Sequence, residues 1–94
     1  MDFEYDPSKS ELNLKKHGMS LEDAKLLWDV PGIEIKARAE DDEPRFMMIA
    51  RLNGKFYSCV YTIRQNAIRL ISMRRSREAE EKIYEARMNN EKET

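Results

Sequence analysis

A chain of 94 residues with a formal net charge of −1 is sized for one domain with one modest core, burying roughly 60 to 65% of its unfolded surface, which excludes a deep cofactor vault. Charged residues make up 37% and no apolar run approaches the roughly 20 residues of a membrane helix, while the acidic start, Met1-Asp2-Phe3-Glu4-Tyr5-Asp6, lacks the features of a secretory signal, so the cytoplasm is the expected compartment. The average charge hides a division: residues 1 to 44 carry six bases and twelve acids, 45 to 77 eight bases and no acid, and 78 to 94 three bases and six acids.

In chain order, Asp6-Pro7 reads as an N-cap followed by proline at the first helical position, where its missing N–H costs nothing. The first helix should end at His17-Gly18, with Lys15, Lys16 and His17 placed where the helix dipole favours positive charge and Gly18 at the left-handed closing position. Ser20-Leu21-Glu22-Asp23 is a capping pattern for a second helix, with Leu21, Ala24, Leu27 and Trp28 at helical spacing as core, and Pro31-Gly32 stops it. From Ile33 to Arg38 apolar and charged residues alternate, the pattern of an edge strand, and Ala39 to Pro44 reads as a solvated acidic loop. Arg45 to Leu52, Asn53-Gly54 and Lys55 to Ile63 form a hairpin, because Asn-Gly tolerates the positive φ angles of a two-residue turn.

A second turn at Arg64-Gln65-Asn66 leads into a central strand over Ala67 to Arg74. Alternation there puts Leu70, Ser72 and Arg74 on one face and Arg69, Ile71, Met73 and Arg75 on the other. Ser76 caps a last helix with Ala79, Ile83 and Ala86 as its apolar stripe and Tyr84 and Met88 beside it, and residues 89 to 94 are expected to fray. The fold class is α+β: two N-terminal helices, an antiparallel sheet of three to four strands with helices on one side, and a C-terminal helix.

Chemistry must come from ordinary side chains. One Cys and one His cannot supply a zinc site, and neither a phosphate-binding loop nor a dinucleotide fingerprint occurs around Gly18, Gly32 and Gly54. The acid-free window holds seven Arg and one Lys, and the planar guanidinium grips phosphate oxygens in a bidentate way. These bases either bind phosphate or pair with the acids of residues 1 to 44. Histidine is the side chain suited to moving a proton near neutral pH, which makes His17 a candidate, although a His before a helix-ending Gly is also an ordinary cap. Cys59, within an apolar strand, reads as a small buried hydrophobe.

Phe3-Glu4-Tyr5-Asp6, Lys9, Asn13, Lys16-His17-Gly18-Met19-Ser20 and Glu22 resemble the opening signature of the BrnT toxin family. The resemblance continues through Glu43-Pro44-Arg45-Phe46, Ile49, Gly54, Val60-Tyr61-Thr62, Arg69-Leu70-Ile71-Ser72-Met73-Arg74-Arg75-Ser76, Glu80 and Tyr84. Tyr5 stands where Trp is usual, Ala50 where Gly is common and Met73 where Ala is frequent.

This resemblance implies a RelE-like fold and a ribonuclease toxin of a type II toxin–antitoxin pair that halts translation. Its implied partners are RNA and a BrnA-like ribbon-helix-helix antitoxin, with promoter DNA reached only through the antitoxin complex. On that reading a ribose 2′-OH attacks the adjacent phosphate without metal or cofactor. Arg74 stabilises the transition-state charge, His17 transfers the proton, and Lys9, Lys16, Arg45, Arg69 and Arg75 hold the RNA backbone. The rival readings are a non-catalytic nucleic-acid or protein-binding module and a purely structural subunit.

Overall fold

The computed structural model describes residues 2–93, and side chains over 2–90. The order is β1 (Asp2–Glu4), α1 (Pro7–His17), α2 (Leu21–Ala24) running into a 3-10 turn (Lys25–Trp28), β2 (Gly32–Glu40), β3 (Glu43–Leu52), β4 (Lys55–Arg64), β5 (Ala67–Arg75) and α3 (Glu78–Glu93). The strands form one sheet in the order β1-β5-β4-β3-β2. An α+β fold with a C-terminal helix was expected, but the sheet has five strands, and β1 pairs with β5 in parallel. β1 escapes a sequence pattern because three residues, two of them acidic, show no usable alternation.

Capping chemistry placed the N-terminal elements. Asp6 accepts from the Ser8 N–H, Pro7 opens α1, and Gly18 closes it at φ 76°. The Ser20 capping box forms with Asp23. The second helix is shorter than expected, a single α turn that tightens into the 3-10 turn. Tight hairpins join β2 to β3 and β4 to β5, with positive φ at Asp41, Asp42, Gln65 and Asn66. The acidic stretch at 39 to 44 is thus a two-residue turn between lengthened strands, because Asp and Asn tolerate the left-handed region.

The main core lies between the sheet and the N-terminal helical segment. Leu21, Ala24 and Leu27 are fully buried against Met48, Ala50, Cys59, Tyr61, Ile68, Leu70 and Met73. Trp28 stands edge-on to both Phe3 and Tyr61, with ring centroids 5.3 and 5.2 Å apart. Helices cover both faces of the sheet, where one had been expected. Along β4, Cys59 and Tyr61 face the main core, whereas Ser58 reaches Glu80 of α3 at 2.8 Å and Phe56 meets Tyr84. α3 crosses this second face to reach β2, where Tyr84 Oη donates to the Pro31 carbonyl at 3.3 Å.

Two local expectations change. The α3 stripe of Ala79, Ile83 and Ala86 points to solvent, and the inward positions are Glu80, Tyr84 and Met88, spaced by four. Ser76 does not cap α3; its hydroxyl bonds Ser58 at 2.8 Å, and the Arg77 carbonyl accepts from the Glu80 and Glu81 N–H groups, both at 3.0 Å.

The alternation along β5 is also broken. Val60 pairs with Ser72 and Tyr61 with Leu70, so Ile71 is an extra bulged residue. Leu70 and Met73 therefore both enter the main core, at 1% and 0% exposure, and Arg69 and Arg74 share the opposite face.

Candidate functional site

Helix α1 has its polarity inverted. Its buried residues are Ser10 and Asn13, at 8% and 6% exposure, while Leu12 and Leu14 are 55% and 49% exposed. β1 covers only the first part of β5, as far as Arg69, so the edge of β5 beyond it needs another partner for its backbone groups. Asn13 supplies it. Its Nδ2 donates to the carbonyls of Met19 and Met73 at 2.7 and 2.8 Å, and its Oδ1 accepts from the Met73 N–H at 3.0 Å. Ser10 Oγ accepts from the Leu21 N–H at 2.9 Å. The side chain of Asn13 thus takes the place of a neighbouring strand.

This clamp fixes the end of α1 beside β5. Lys9, Leu12, Asn13, Lys16, His17, Ile71 and Ser72 line a shallow cavity of about 190 Å³. Three of the residues singled out from sequence, Lys9, Lys16 and His17, are brought together there, on an apolar floor of Leu12 and Ile71 with one hydroxyl, Ser72. Ser10 and Asn13 were missed as a docking face: two polar residues three apart share one side of a helix, but that spacing alone does not tell a docked face from a solvated one.

Arg74 follows two residues after Ser72 but does not line the cavity. Its guanidinium grips Glu80 in a fork, with Nη1 and Nη2 at 2.8 and 2.7 Å from the two carboxylate oxygens. The side chains are 23% and 12% exposed. Glu80 also accepts from the Ser58 hydroxyl at 2.8 Å and the Arg77 N–H at 2.9 Å. These donors, Arg74 foremost, hold its carboxyl down at about 2 against a burial that pushes it up, and Glu80 in turn raises the Arg74 guanidinium. Nothing local in the sequence marked this pairing: the acids expected as partners were those of residues 1 to 44, and Glu80 lies outside them.

The other expected phosphate contacts divide. Arg45 lies 3.2 Å from Glu40 and Arg69 3.5 Å from Glu4, and Arg64, in the same region, is 2.8 Å from Glu43. Arg45 also leaves its Nε buried with no hydrogen-bond partner. By register these three occupy the end of the sheet made by the starts of β3 and β5 and the end of β4. Arg75 sits at the other end, exposed, with its guanidinium 5.6 Å from the Tyr57 ring centroid.

Elsewhere the chemistry is quiet. Cys59 is buried, and burial pushes its thiol up to about 12. Among the described residues no group of His, Cys, Asp and Glu is placed to hold a metal ion, and no helix is long and apolar enough to cross a membrane.

No curated protein and no solved structure matches the chain. The family description of a ribonuclease toxin, BrnT, of a type II toxin–antitoxin system matches residues 5–80, which span α1 with its clamp, the whole of β2 to β5, and α3 as far as Glu80. On that match, over most of its length, the chain belongs to the BrnT family of ribonuclease toxins.

Proposed function

We propose that the cavity between α1 and β5 is where this toxin cleaves RNA, and that His17 moves the proton. The carrying observation is that Lys9, Lys16 and His17 converge there on Ser72 and Ile71. In the proposed reaction the 2′-oxygen forms a bond to phosphorus, the bond to the 5′-oxygen breaks, and a 2′,3′-cyclic phosphate and a free 5′-OH result. The 2′ proton passes to the His17 imidazole, and the departing 5′-oxygen takes a proton from the imidazolium or from water. The nucleophile is supplied by the substrate itself, so the scheme uses neither a metal-bound hydroxide nor a cofactor. Lys9 and Lys16 hold the scissile phosphate and its neighbour.

Arg74 remains the proposed stabiliser of the phosphorane charge, acting through the N–H groups that Glu80 leaves free. Arg75 contacts the backbone next to the cavity, whereas Arg45 and Arg69 would do so only in competition with Glu40 and Glu4. The activity halts translation in the cytoplasm and is neutralised by a BrnA-like ribbon-helix-helix antitoxin, which also carries the pair to promoter DNA, within a RelE-like scaffold.

The second reading, a non-catalytic binding module, is favoured by one observation: the guanidinium assigned to the phosphorane charge, Arg74, is already satisfied by a carboxylate and is not among the residues that line the cavity. Expressing the chain alone separates them. Growth arrest relieved by His17→Ala supports the nuclease, and arrest that persists unchanged in His17→Ala removes His17 from it. Folded wild-type protein that leaves RNA intact in EDTA while still binding RNA or antitoxin tightly favours the module, and unchanged growth with no such binding leaves a purely structural subunit.

A further inference from the structure

The eight bases of the acid-free window fall into two groups. Four have an acid within ion-pair distance: Arg45, Arg64, Arg69 and Arg74. The other four, Arg51, Lys55, Arg75 and Arg77, have no such ion pair among the described residues and are all exposed. These four gather at one end of the sheet. Leu52 pairs with Lys55 and Arg51 with Phe56 across the β3–β4 turn, Tyr57 pairs with Arg75, and the Ser76 N–H donates to the Phe56 carbonyl at 2.9 Å, which brings Arg77 alongside.

Two aromatic rings are interleaved with these cations. The Arg51 guanidinium lies 5.3 Å from the Phe56 centroid, and Arg75 stands in the same relation to Tyr57 on the opposite face of the sheet. Beside Arg51 a cavity of about 330 Å³ opens between the hairpin and α3, lined by Phe56, Tyr84, Glu85, Met88 and Asn89. Its aromatic walls and two polar side chains, Glu85 and Asn89, suit a flat heterocycle with a hydrogen-bonding edge.

We infer that this hairpin end of the sheet is a binding track for single-stranded RNA, continuing from the α1–β5 cavity past Arg75 and Tyr57 to Lys55 and Arg51. Ser72 on the cavity floor and Arg75 are three residues apart on one strand, about 10 Å at 3.3 Å per residue, with their side chains on opposite faces, so the RNA turns round the edge of β5 to reach both. Unpaired cations meet phosphates, and ring faces meet bases, at a stacking gain that tolerates any sequence. A protein segment would need an acid for each cation and an aromatic or apolar side chain for each ring and the cavity, whereas single-stranded RNA repeats both a phosphate and a flat base at every nucleotide, so RNA is the better fit. The inference rests on the ribonuclease reading for its ligand, not for its surface.

The test uses the full-length protein and a fluorescent, all-2′-deoxy single strand of about twelve nucleotides, which no 2′-OH chemistry can cleave. Anisotropy titrations across a range of salt concentrations compare wild type, the triple variant Arg51→Gln/Lys55→Gln/Arg77→Gln, and Arg64→Gln as a control at the far end of β4. Losing three phosphate contacts lowers the slope of log affinity against log salt by about 2, and at low salt the triple variant should bind at least about tenfold more weakly. Arg64→Gln should bind like wild type. Unchanged affinity and slope in the triple variant overturn the track. So does a triple variant that keeps the oligonucleotide but no longer binds its antitoxin, which would make the surface a protein dock. If wild type binds the oligonucleotide with the expected slope but leaves RNA intact, the cleavage proposal fails and the binding track stands.

Discussion

Asn13 carries more of the architecture than any leucine of its helix. Replacing it with Ala removes three hydrogen bonds and strands the Met73 N–H and carbonyl in a buried place, where each unmet group costs about 1 to 3 kcal/mol. Asn13→Ala should therefore lower the stability measured by urea denaturation by about 2 to 4 kcal/mol. A loss below about 0.5 kcal/mol would mean that α1 does not depend on this clamp.

Glu80 makes a second prediction at this scale. Its carboxyl is held at about 2, well below its ordinary 4.5. The depressed group contributes stability that is fully present above pH 4.5 and lost as pH falls toward 2, amounting to about 1 to 2 kcal/mol after solvent screening of this partly exposed pair. Urea midpoints measured down that range should fall for wild type and stay flatter for Glu80→Gln, which starts lower at neutral pH. Parallel curves for the two proteins would show that the Arg74 fork contributes little.

At the scale of elements, the end of α1 matters because His17 is its last residue and Gly18 its left-handed cap. A Cβ at Gly18 meets no atom within 4 Å, so Gly18→Ala is strained by its backbone angle alone. It should cost about 1 kcal/mol in thermal or urea unfolding, and it should reduce RNA cleavage by more than that loss of folded protein explains, because it reorients His17. Cleavage that simply tracks the folded fraction would argue against a positioned His17.

The elements legible in sequence were those with local chemistry. Asp6, Gly18 and Ser20 act through backbone groups a few residues away, and Asn53-Gly54 sets its own turn, so each needs no knowledge of the rest of the chain. What was not legible depends on distant partners. The bulge at Ile71 exists because β5 must match β4 at both ends, the inward face of α3 is chosen by Glu80 reaching Arg74, and β1 is a strand only because β5 lies beside it. The candidate site follows the same division. Lys9, Lys16 and His17 share one helix face and could be grouped by spacing, whereas the fork that occupies Arg74 could not.

For the whole molecule, a net charge near zero is arranged as two unlike ends of one sheet. At one end Arg45, Arg64 and Arg69 face Glu40, Glu43 and Glu4 from the acidic first part of the chain. At the other, Arg51, Lys55, Arg75 and Arg77 are unpaired among the described residues, and the His17 cavity lies along the neighbouring edge. The acid-free window thus folds back on the chain's own acids at one end, and at the other it leaves bases unpaired among the described residues, the end proposed above to meet RNA.

Incubating purified, antitoxin-free chain with RNA in EDTA, alongside a His17→Ala variant of matched fold, reaches the centre of the matter. Wild type should produce fragments ending in 2′,3′-cyclic phosphate, and His17→Ala should cleave at least about 100-fold more slowly, the usual scale of a lost proton-transfer group. RNA left intact by wild type, or cleaved equally fast by both proteins, would contradict the assignment of His17 and its cavity as the cleavage site.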